Sequence, residues 1–289
     1  MHTVVLGAGT MGRDIAHVCA VAGHEVTLRD VDEGALTTAR EHIAANLTGG
    51  VERGKLSEKD RSAALDRIAT TTDLADAAGA DLAVEAVPED LELKHAVLSE
   101  AESVVADDAL IATNTSSLSV TSVTDALADP TRGVGLHFFN PAYVMELVEV
   151  VIGERTSERT RERAEEVVVD LGKQAVTVTD TPGFASSRLG VALGCEAMRM
   201  VESGVASAAD IDAAMELGYR HPTGPLELTD LVGLDVRLDI LEYLREELGE
   251  RFRPPQVLKR KVRAGKLGRK TGEGFYVWSD GEPVRPADR

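Results

Sequence analysis

Three glycines near the start of the chain have the spacing of a loop that binds the phosphates of a dinucleotide. Gly7, Gly9 and Gly12 form a G-x-G-x-x-G turn between a short apolar run and a segment with helical periodicity. In such a turn, the first glycine allows tight bending, the second lets a pyrophosphate approach the backbone, and the third lets helix and strand pack closely. We expect Thr10 and Met11 to contact the same ligand, because free amides at a helix N-terminus attract anions.

The acid that ends the second apolar strand indicates which dinucleotide binds. Asp30 follows Gly12 by roughly 20 residues, the separation at which such a loop is paired with a ribose-binding carboxylate. This carboxylate would accept hydrogen bonds from a ribose 2′-hydroxyl and would repel a 2′-phosphate. The predicted cofactor is therefore NAD rather than NADP.

Polar side chains follow or interrupt the later strands. Ligands of open α/β sheets lie beyond the carboxyl ends of the strands, so residues at those ends are the first catalytic candidates. They are Glu85 and Glu89, the stretch 114–117 that contains Asn114 and Ser116, and His137. A serine at such a place can also be only the N-cap of the following helix, and that alternative stays open for Ser116.

Glu149 lies inside an apolar run, where a carboxylate is costly unless it is paired. A carboxylate beside a histidine fixes the imidazole tautomer and strengthens it as a base, so Glu149 with His137 is a candidate proton-transfer pair. The alternative, that His137 is only a hydrogen-bonded core residue, stays open at this point.

The pattern of the chain changes near Pro182. Before it, apolar strands alternate with amphipathic helices, which predicts an α/β fold with a doubly wound sheet in residues 1–182. Beyond it, helical periodicity dominates residues 183–289, which predicts a smaller helical domain. The helical segments of that domain are 191–201, 208–217 and 226–248, and one strand-like piece lies at 274–278.

The composition excludes several classes of partner. The formal net charge is −18, which repels phosphates, so we expect neither a nucleic-acid nor a membrane partner. The sequence shows no apolar run of membrane-spanning length and no signal-peptide pattern, which favours the cytoplasm. Cys19 and Cys195 lack the spacing of a metal or redox site, and no metal is predicted. Acidity together with 8 lysines against 23 arginines resembles the proteins of salt-loving organisms.

Five motifs of this chain resemble those of L-3-hydroxyacyl-CoA dehydrogenases, and they occur in order over nearly its whole length. They are NTSSLS at 114–119, GLHFFNP at 135–141, MELVEV at 145–150, DTPGF at 180–184 and KTGEGFY at 270–276. The resemblance implies a Rossmann-like domain followed by a helical domain that forms a homodimer and part of the substrate site. The implied reaction is hydride transfer from C3 of a 3-hydroxyacyl-CoA to NAD.

The resemblance also implies roles for individual residues. His137 would be the base, Glu149 its orienting partner, and Ser116 the residue that bonds the reacting oxygen. Ser187 stands where the family commonly has an asparagine with polar contacts in the site, and the alternative is that it only caps its helix. The expected cofactor contacts are Glu89, Lys94, Asn114 and Lys270.

A basic cluster in the acidic first domain is the candidate site for the CoA phosphates. It consists of Arg53, Lys55 and Lys59, with Arg61 beside them, and the family binds CoA near here. The alternative is a solvated pair of helices. Two other functions stay open: a related dehydrogenase of a hydroxy acid without CoA, such as a sugar acid, and a regulatory protein that keeps the NAD site without turnover.

The acidic composition gives a first prediction. Unpaired carboxylates repel each other until salt shortens the Debye length to about 3 Å at 1 M. We therefore expect the melting temperature to rise steeply as KCl is increased to molar concentrations. A melting temperature that does not depend on KCl would contradict the halophilic interpretation.

Overall fold

The computed structural model describes residues 1–287, and the chain divides into two compact units, Met1–Thr181 and Pro182–Arg289. We refer to them as the first and the second unit. Among the described residues, no helix is both long enough and apolar enough to cross a bilayer.

The first unit is built on one sheet of eight strands. The strands are β1 (His2–Leu6), β2 (Glu25–Arg29), β3 (Ile68–Thr71), β4 (Leu82–Glu85), β5 (Leu110–Thr113), β6 (Gly133–Phe138), β7 (Leu147–Ile152) and β8 (Gln174–Thr179). The helices are α1 (Thr10–Val21), α2 (Glu33–Glu52), α3 (Glu58–Asp66), α4 (Leu91–Glu102), α5 (Val120–Thr124) and α6 (Glu158–Asp170).

The order of the strands is β3-β2-β1-β4-β5-β6-β7-β8, so the direction of winding reverses between β1 and β4. All neighbours are parallel except β6 and β7, which pair antiparallel. The predicted doubly wound α/β sheet is confirmed. The reversal opens a crevice at the carboxyl ends of β1 and β4, where such sheets bind their ligands.

The central strands of the sheet are continuous apolar runs in the sequence because they are buried on both faces. Every residue of β4, β5 and β6 is buried, because helices cover both faces of the sheet. The cores on the two faces are separate clusters, one containing Val5 and Leu28 and the other containing Val4 and Leu6. This alternation along β1 is the period of two that a strand imposes.

The second unit is mainly helical. Its helices are α7 (Ser186–Ser203), α8 (Ala208–Tyr219), α9 (Pro225–Val232), α10 (Leu234–Leu248) and α11 (Gln256–Arg263), and a hairpin of β9 (Tyr276–Ser279) and β10 (Glu282–Pro286) completes it. The helical domain is confirmed, and β9 coincides with most of the strand-like piece. The single periodic segment 226–248 is in fact two helices, because Gly233 with φ of +107° separates α9 from α10.

Two buried aspartates hold the hairpin onto the helices. Asp212 accepts hydrogen bonds from the backbone N–H groups of Leu226 and Glu227 and from the Tyr276 hydroxyl, at 2.8, 2.8 and 2.7 Å. Asp230 accepts from the Trp278 indole N–H at 2.9 Å. Burial raises the pKa of both carboxyls despite these donors. Each hydrogen bond to them therefore offsets part of a desolvation cost.

Removing one donor should lower the stability of this unit. Tyr276→Phe takes a hydroxyl from a carboxylate that is 3% exposed, so we expect the free energy of unfolding to fall by about 1–3 kcal/mol. Chemical denaturation measures the loss. Tyr219→Phe is the matched control because Tyr219 is 75% exposed, and its unfolding should be unchanged. Equal stability of both variants would contradict the assigned role of the hydroxyl.

Candidate active site

The glycine loop lies between β1 and α1, and its three glycines have three different surroundings. A Cβ on Gly7 would lie 2.7 Å from the Ala86 carbonyl oxygen, and φ there is +105°. A Cβ on Gly12 would overlap the Gly7 carbonyl. A Cβ on Gly9 would meet no atom of the described chain within 4 Å, so the backbone there is open to a ligand. This is the arrangement that a pyrophosphate requires.

The start of α1 is electrostatically suited to a phosphate. Gly9 is its N-cap and supplies no side-chain oxygen, and the first turn has no acidic residue, so no carboxylate of that turn competes with a phosphate for the helix amides and dipole. Asp30 braces the loop by accepting from the Ala8 N–H at 2.7 Å and from the Asp32 N–H at 3.0 Å. Thr10 and Met11 open the helix in the expected place.

Lys94 is part of a buried ion-pair network at the ends of β4 and β5. It is 1% exposed, and its Nζ lies 2.7 Å from a carboxylate oxygen of Glu85 and 3.1 Å from one of Glu89. The Val87 carbonyl accepts a third bond at 3.3 Å. A cofactor contact was expected at Lys94 itself, but its ammonium is enclosed by these partners. The expected contact between Lys94 and the cofactor stays a prediction.

Glu89 orders the loop that follows β5. One carboxylate oxygen accepts from the backbone N–H groups of Ser116 and Ser117, each at 3.1 Å, and from the hydroxyls of Thr115 and Ser117. Burial by itself raises the pKa of Glu89, but the charge of Lys94 and the two hydroxyls outweigh it, so the pKa is lowered overall. The carboxylate is thus ionised at neutral pH and fixes the backbone at Ser116.

The same loop is joined to the neighbouring strand. The Asn114 side-chain carbonyl accepts from the Phe138 N–H at 2.9 Å, next to His137 in sequence. Ser116 is exposed at this end of the sheet. It is not the N-cap of the helix that follows, because α5 is capped by Ser119, and that alternative is wrong.

His137 and Glu149 are a buried pair held by strand register. They lie directly opposite each other on β6 and β7, and the imidazole Nδ1 is 2.8 Å from a carboxylate oxygen. Their side chains are 7% and 1% exposed. A carboxylate at Nδ1 stabilises the tautomer with the proton on that nitrogen, which leaves the basic lone pair on Nε2. The Phe139 ring packs on the imidazole with 4.5 Å between centroids.

Ser187 and Lys270 are the candidate residues that lie in the second unit. Ser187 is the second residue of α7, whose N-cap is Ala185, so the alternative that Ser187 caps this helix is wrong. The Lys270 ammonium donates to both carboxylate oxygens of Asp235, at 2.6 and 2.7 Å. Lys270 therefore has a partner on α10 already, and the expected contact with the cofactor is a proposal.

The basic cluster is exposed around the turn between α2 and α3. Arg53 is the C-cap of α2, Lys55 follows it, and Lys59 lies in the first turn of α3. Within residues 1–287 none of these three forms an ion pair, whereas Arg61 pairs with Glu58 at 2.8 Å. Three unpaired cations in an acidic chain are available to phosphates.

Three further hydroxyl side chains support the acids of the site; two lie in the candidate stretch 114–117 without an assigned role, and Thr113 lies outside the candidates. Thr115 and Ser117 hold Glu89, and the Thr113 hydroxyl donates to the buried Glu85 at 2.6 Å. The available signal was the pair of acids at the end of one strand beside a run of hydroxyl residues at the end of the next. Among residues 1–287, no group of His, Cys, Asp and Glu side chains is arranged to hold a metal ion.

The chain matches two family models in succession. Residues 2–181 match the NAD binding domain of 3-hydroxyacyl-CoA dehydrogenase, and residues 183–278 match its C-terminal domain. NAD is accordingly the cofactor. The glycine loop and the β1–β4 crevice fit it, and Asp30 stands at the end of β2 as a ribose-binding acid does.

Individual relatives cover the chain almost completely. The 3-hydroxybutyryl-CoA dehydrogenase of Bradyrhizobium diazoefficiens is 41% identical over 281 residues, which is 97% of this chain and 96% of the relative. The 3-hydroxyadipyl-CoA dehydrogenase of Escherichia coli is 42% identical over 276 residues, 95% of this chain and 58% of the relative. The crystal structure of (S)-3-hydroxybutyryl-CoA dehydrogenase from Ralstonia eutropha superposes with a TM-score of 0.92 at 38% identity, covering 96% of this chain and 99% of that one. The chain therefore belongs to the 3-hydroxyacyl-CoA dehydrogenase family of NAD-dependent oxidoreductases.

Proposed function

We propose that the protein interconverts a 3-hydroxyacyl-CoA and a 3-ketoacyl-CoA, with His137 as the base or acid of the reaction. The observation that carries this assignment is the buried pair of His137 and Glu149, at 2.8 Å, on β6 and β7 of the same sheet whose β1 and β4 border the dinucleotide crevice. Burying a carboxylate in a sheet costs free energy. A carboxylate that holds the imidazole in one tautomer has a role in proton transfer that explains why it is buried there.

The residues of the chain divide the reaction between them. Nicotinamide, when bound, supplies the hydride acceptor. His137 Nε2 takes the proton of the substrate 3-hydroxyl, while Glu149 stabilises the imidazolium that forms. In the reverse direction the imidazolium returns the proton to the 3-keto oxygen.

Ser116 is proposed to donate a hydrogen bond to the reacting oxygen as its charge changes. Two backbone bonds to Glu89 hold the segment that carries Ser116, and Lys94 holds Glu89 in turn. We propose that Glu89, Asn114 and Lys270 contact the cofactor and that Lys94 acts through Glu89. Ser187 is proposed to contact the substrate more weakly than an asparagine, because one hydroxyl on a shorter arm reaches less far.

Arg53, Lys55 and Lys59 are proposed to bind the phosphates of CoA. They are exposed and without carboxylate partners among the described residues, which leaves their charge for a ligand. A solvated helix pair needs no such concentration of cations in a chain with a net charge of −18.

Several further properties remain predictions. Relatives named for 3-hydroxybutyryl-CoA and for 3-hydroxyadipyl-CoA are about equally similar, 41% and 42% identical, so similarity by itself assigns no acyl group. We also propose a homodimer formed through the second unit, a cytoplasmic location, and an acidic surface adapted to high salt. None of these is needed for the proton transfer itself.

The function is tested by substrate choice. NADH consumption should be fast with acetoacetyl-CoA and negligible with free acetoacetate or a keto sugar acid, because only the first presents the CoA phosphates. Turnover of the free acids alone would support the dehydrogenase without CoA and overturn the proposal. Absence of turnover with all three, with NADH bound, would support the regulatory alternative.

The His137 and Glu149 assignment is tested by removing one charge. Glu149→Gln keeps the shape but leaves the imidazolium without its counter-charge, so we expect kcat to fall by about 10²- to 10⁴-fold. His137→Ala should be at least as impaired, and both variants should bind NADH normally. The control is Glu154→Gln, because Glu154 is exposed just after β7, and its kcat should be unchanged. A Glu149→Gln enzyme with a normal kcat would remove Glu149 from the mechanism.

A further inference from the structure

The second unit contains a basic segment in a chain that is otherwise acidic. Residues 251–270 carry nine of the chain's 31 lysines and arginines and no acid, although the formal net charge of the chain is −18. The segment includes α11, where Lys259, Arg260 and Lys261 are consecutive. Such a concentration of cations attracts anions. No residue assigned above to the cofactor or to CoA lies on α11, so the proposed function gives these three cations no role.

Cations of α11 line a cavity within the second unit. Its volume is about 590 Å³, which is in the range of small-molecule sites, about 300–1,000 Å³. Its walls come from the end of α7, the start of α8, α11 and residues at the β9–β10 hairpin, all of them in the second unit. The charged side chains that line it are Glu202, Arg260, Lys261 and Lys266.

Most of the remaining lining is apolar, and it favours a hydrocarbon body over an aromatic base. The Phe275 side chain is 2% exposed, and the Lys261 ammonium lies over its ring, 5.2 Å from the centroid. No open aromatic face is therefore left there for a base to stack on. Aliphatic walls gain free energy when a hydrocarbon chain displaces water from them. The apolar lining includes Val201, Ala206, Ala208, Val257, Ala264 and Phe275.

Lys261 is half-buried at this cavity and can hold an anion. Its Nζ donates to the Gly274 carbonyl at 2.8 Å, and an ammonium has three N–H donors, so donors remain for a ligand. Burial lowers the pKa of Lys261 and the charge of Lys266 lowers it further, while Asp230 and Glu273 act in the opposite direction. An anion beside the ammonium would offset a cost that the free protein carries.

The charge balance of the cavity favours a ligand with one negative charge. Lys266 pairs with Glu273 at 2.5 Å, whereas Arg260 is exposed and forms no ion pair among residues 1–287. Glu202 also lines the cavity, and one of its carboxylate oxygens accepts from the Val257 N–H at 2.9 Å. Three cations therefore face two carboxylates, which leaves an excess of one positive charge. A single carboxylate matches this excess, and a polyphosphate would be repelled by Glu202.

We propose that this cavity binds an aliphatic carboxylate, with the carboxylate group at Lys261 and Arg260 and the chain along the apolar lining. Hydrogen bonds between ionised partners are stronger than neutral ones, and a partly enclosed site strengthens them. The inference goes beyond the proposed reaction, in which the acyl group is held as a thioester. The ligand is a separate molecule, a free fatty acid.

The experiment measures binding to the full-length protein by isothermal titration calorimetry. Decanoate is the probe, used below the concentration at which it forms micelles. Decanol has the same chain without the charge, acetate has the charge without the chain, and AMP has a phosphate with a base. We expect saturable binding of decanoate that is at least about 10-fold tighter than that of decanol, because decanol lacks the hydrogen bonds of a charged group. Acetate and AMP should bind more weakly than decanoate.

Two variants and a matched control locate the bound decanoate. Lys261→Met should weaken decanoate binding at least about 10-fold. Arg260→Gln should weaken it by a few-fold, since an exposed charge pair is weaker. Lys259→Met should bind as the wild type does, because Lys259 pairs with Glu242 at 3.0 Å and does not line the cavity. If Lys261→Met does not fold, the comparison of Arg260→Gln with Lys259→Met is the test.

The outcomes that would overturn the proposal are distinct. Absence of saturable decanoate binding overturns it, and so does equal affinity for decanoate and decanol. Unchanged affinity in the folded Lys261→Met and Arg260→Gln variants would mean that decanoate binds elsewhere. Tighter binding of AMP than of decanoate would make the cavity a nucleotide site. None of these results bears on turnover of acetoacetyl-CoA, which tests the proposed reaction separately.

Discussion

A carboxylate in the middle of a sheet is the constraint on which the site depends. Glu149 is 1% exposed and stands between Val148 and Val150, which are fully buried. It is tolerated because β7 pairs antiparallel with β6 in a register that sets it opposite His137. A register shift of one residue would turn its side chain to the other face and leave the charge unpaired. The proposed proton transfer therefore requires this register of β6 and β7.

A second buried charge pair serves the neighbouring strand ends in the same way. The single ammonium of Lys94 is shared between the carboxylates of Glu85 and Glu89. Glu89 in turn binds the backbone at Ser116. The loop with the proposed oxygen-binding serine is thus fixed by electrostatics that begin inside the sheet. Because Asn114 bonds to the Phe138 N–H, the two networks meet beside His137.

Features that depend on residues close together in the sequence could be predicted, and features that depend on distant segments mostly could not. The G-x-G-x-x-G turn and the parallel strands are local patterns, and both agree with the structure. The need for a partner at Glu149 followed from its apolar neighbours alone. The enclosure of Lys94 did not, because it depends on acids brought together by two different strands. Gly233 divides a helix that periodicity made continuous, and only its positive φ reveals why.

The burial of Arg237 could not be predicted either, because it depends on segments that are distant in sequence. On α10 it stands among leucines as any arginine on an amphipathic helix does, and only the structure shows that its Nη1 lies near Gly190 of α7. Ser187 is similar. Its departure from the family asparagine was visible in the sequence, but its place after the N-cap of α7 required the structure.

The central claim is that Glu149 holds His137 in the tautomer with its proton on Nδ1, which makes Nε2 the catalytic base. The direct measurement is ¹⁵N NMR of the imidazole nitrogens at a pH where the ring is neutral, with His137 assigned among the 7 histidines by comparison with His137→Gln. The account predicts a protonated Nδ1 and an unprotonated Nε2. A neutral ring with its proton on Nε2 would contradict it.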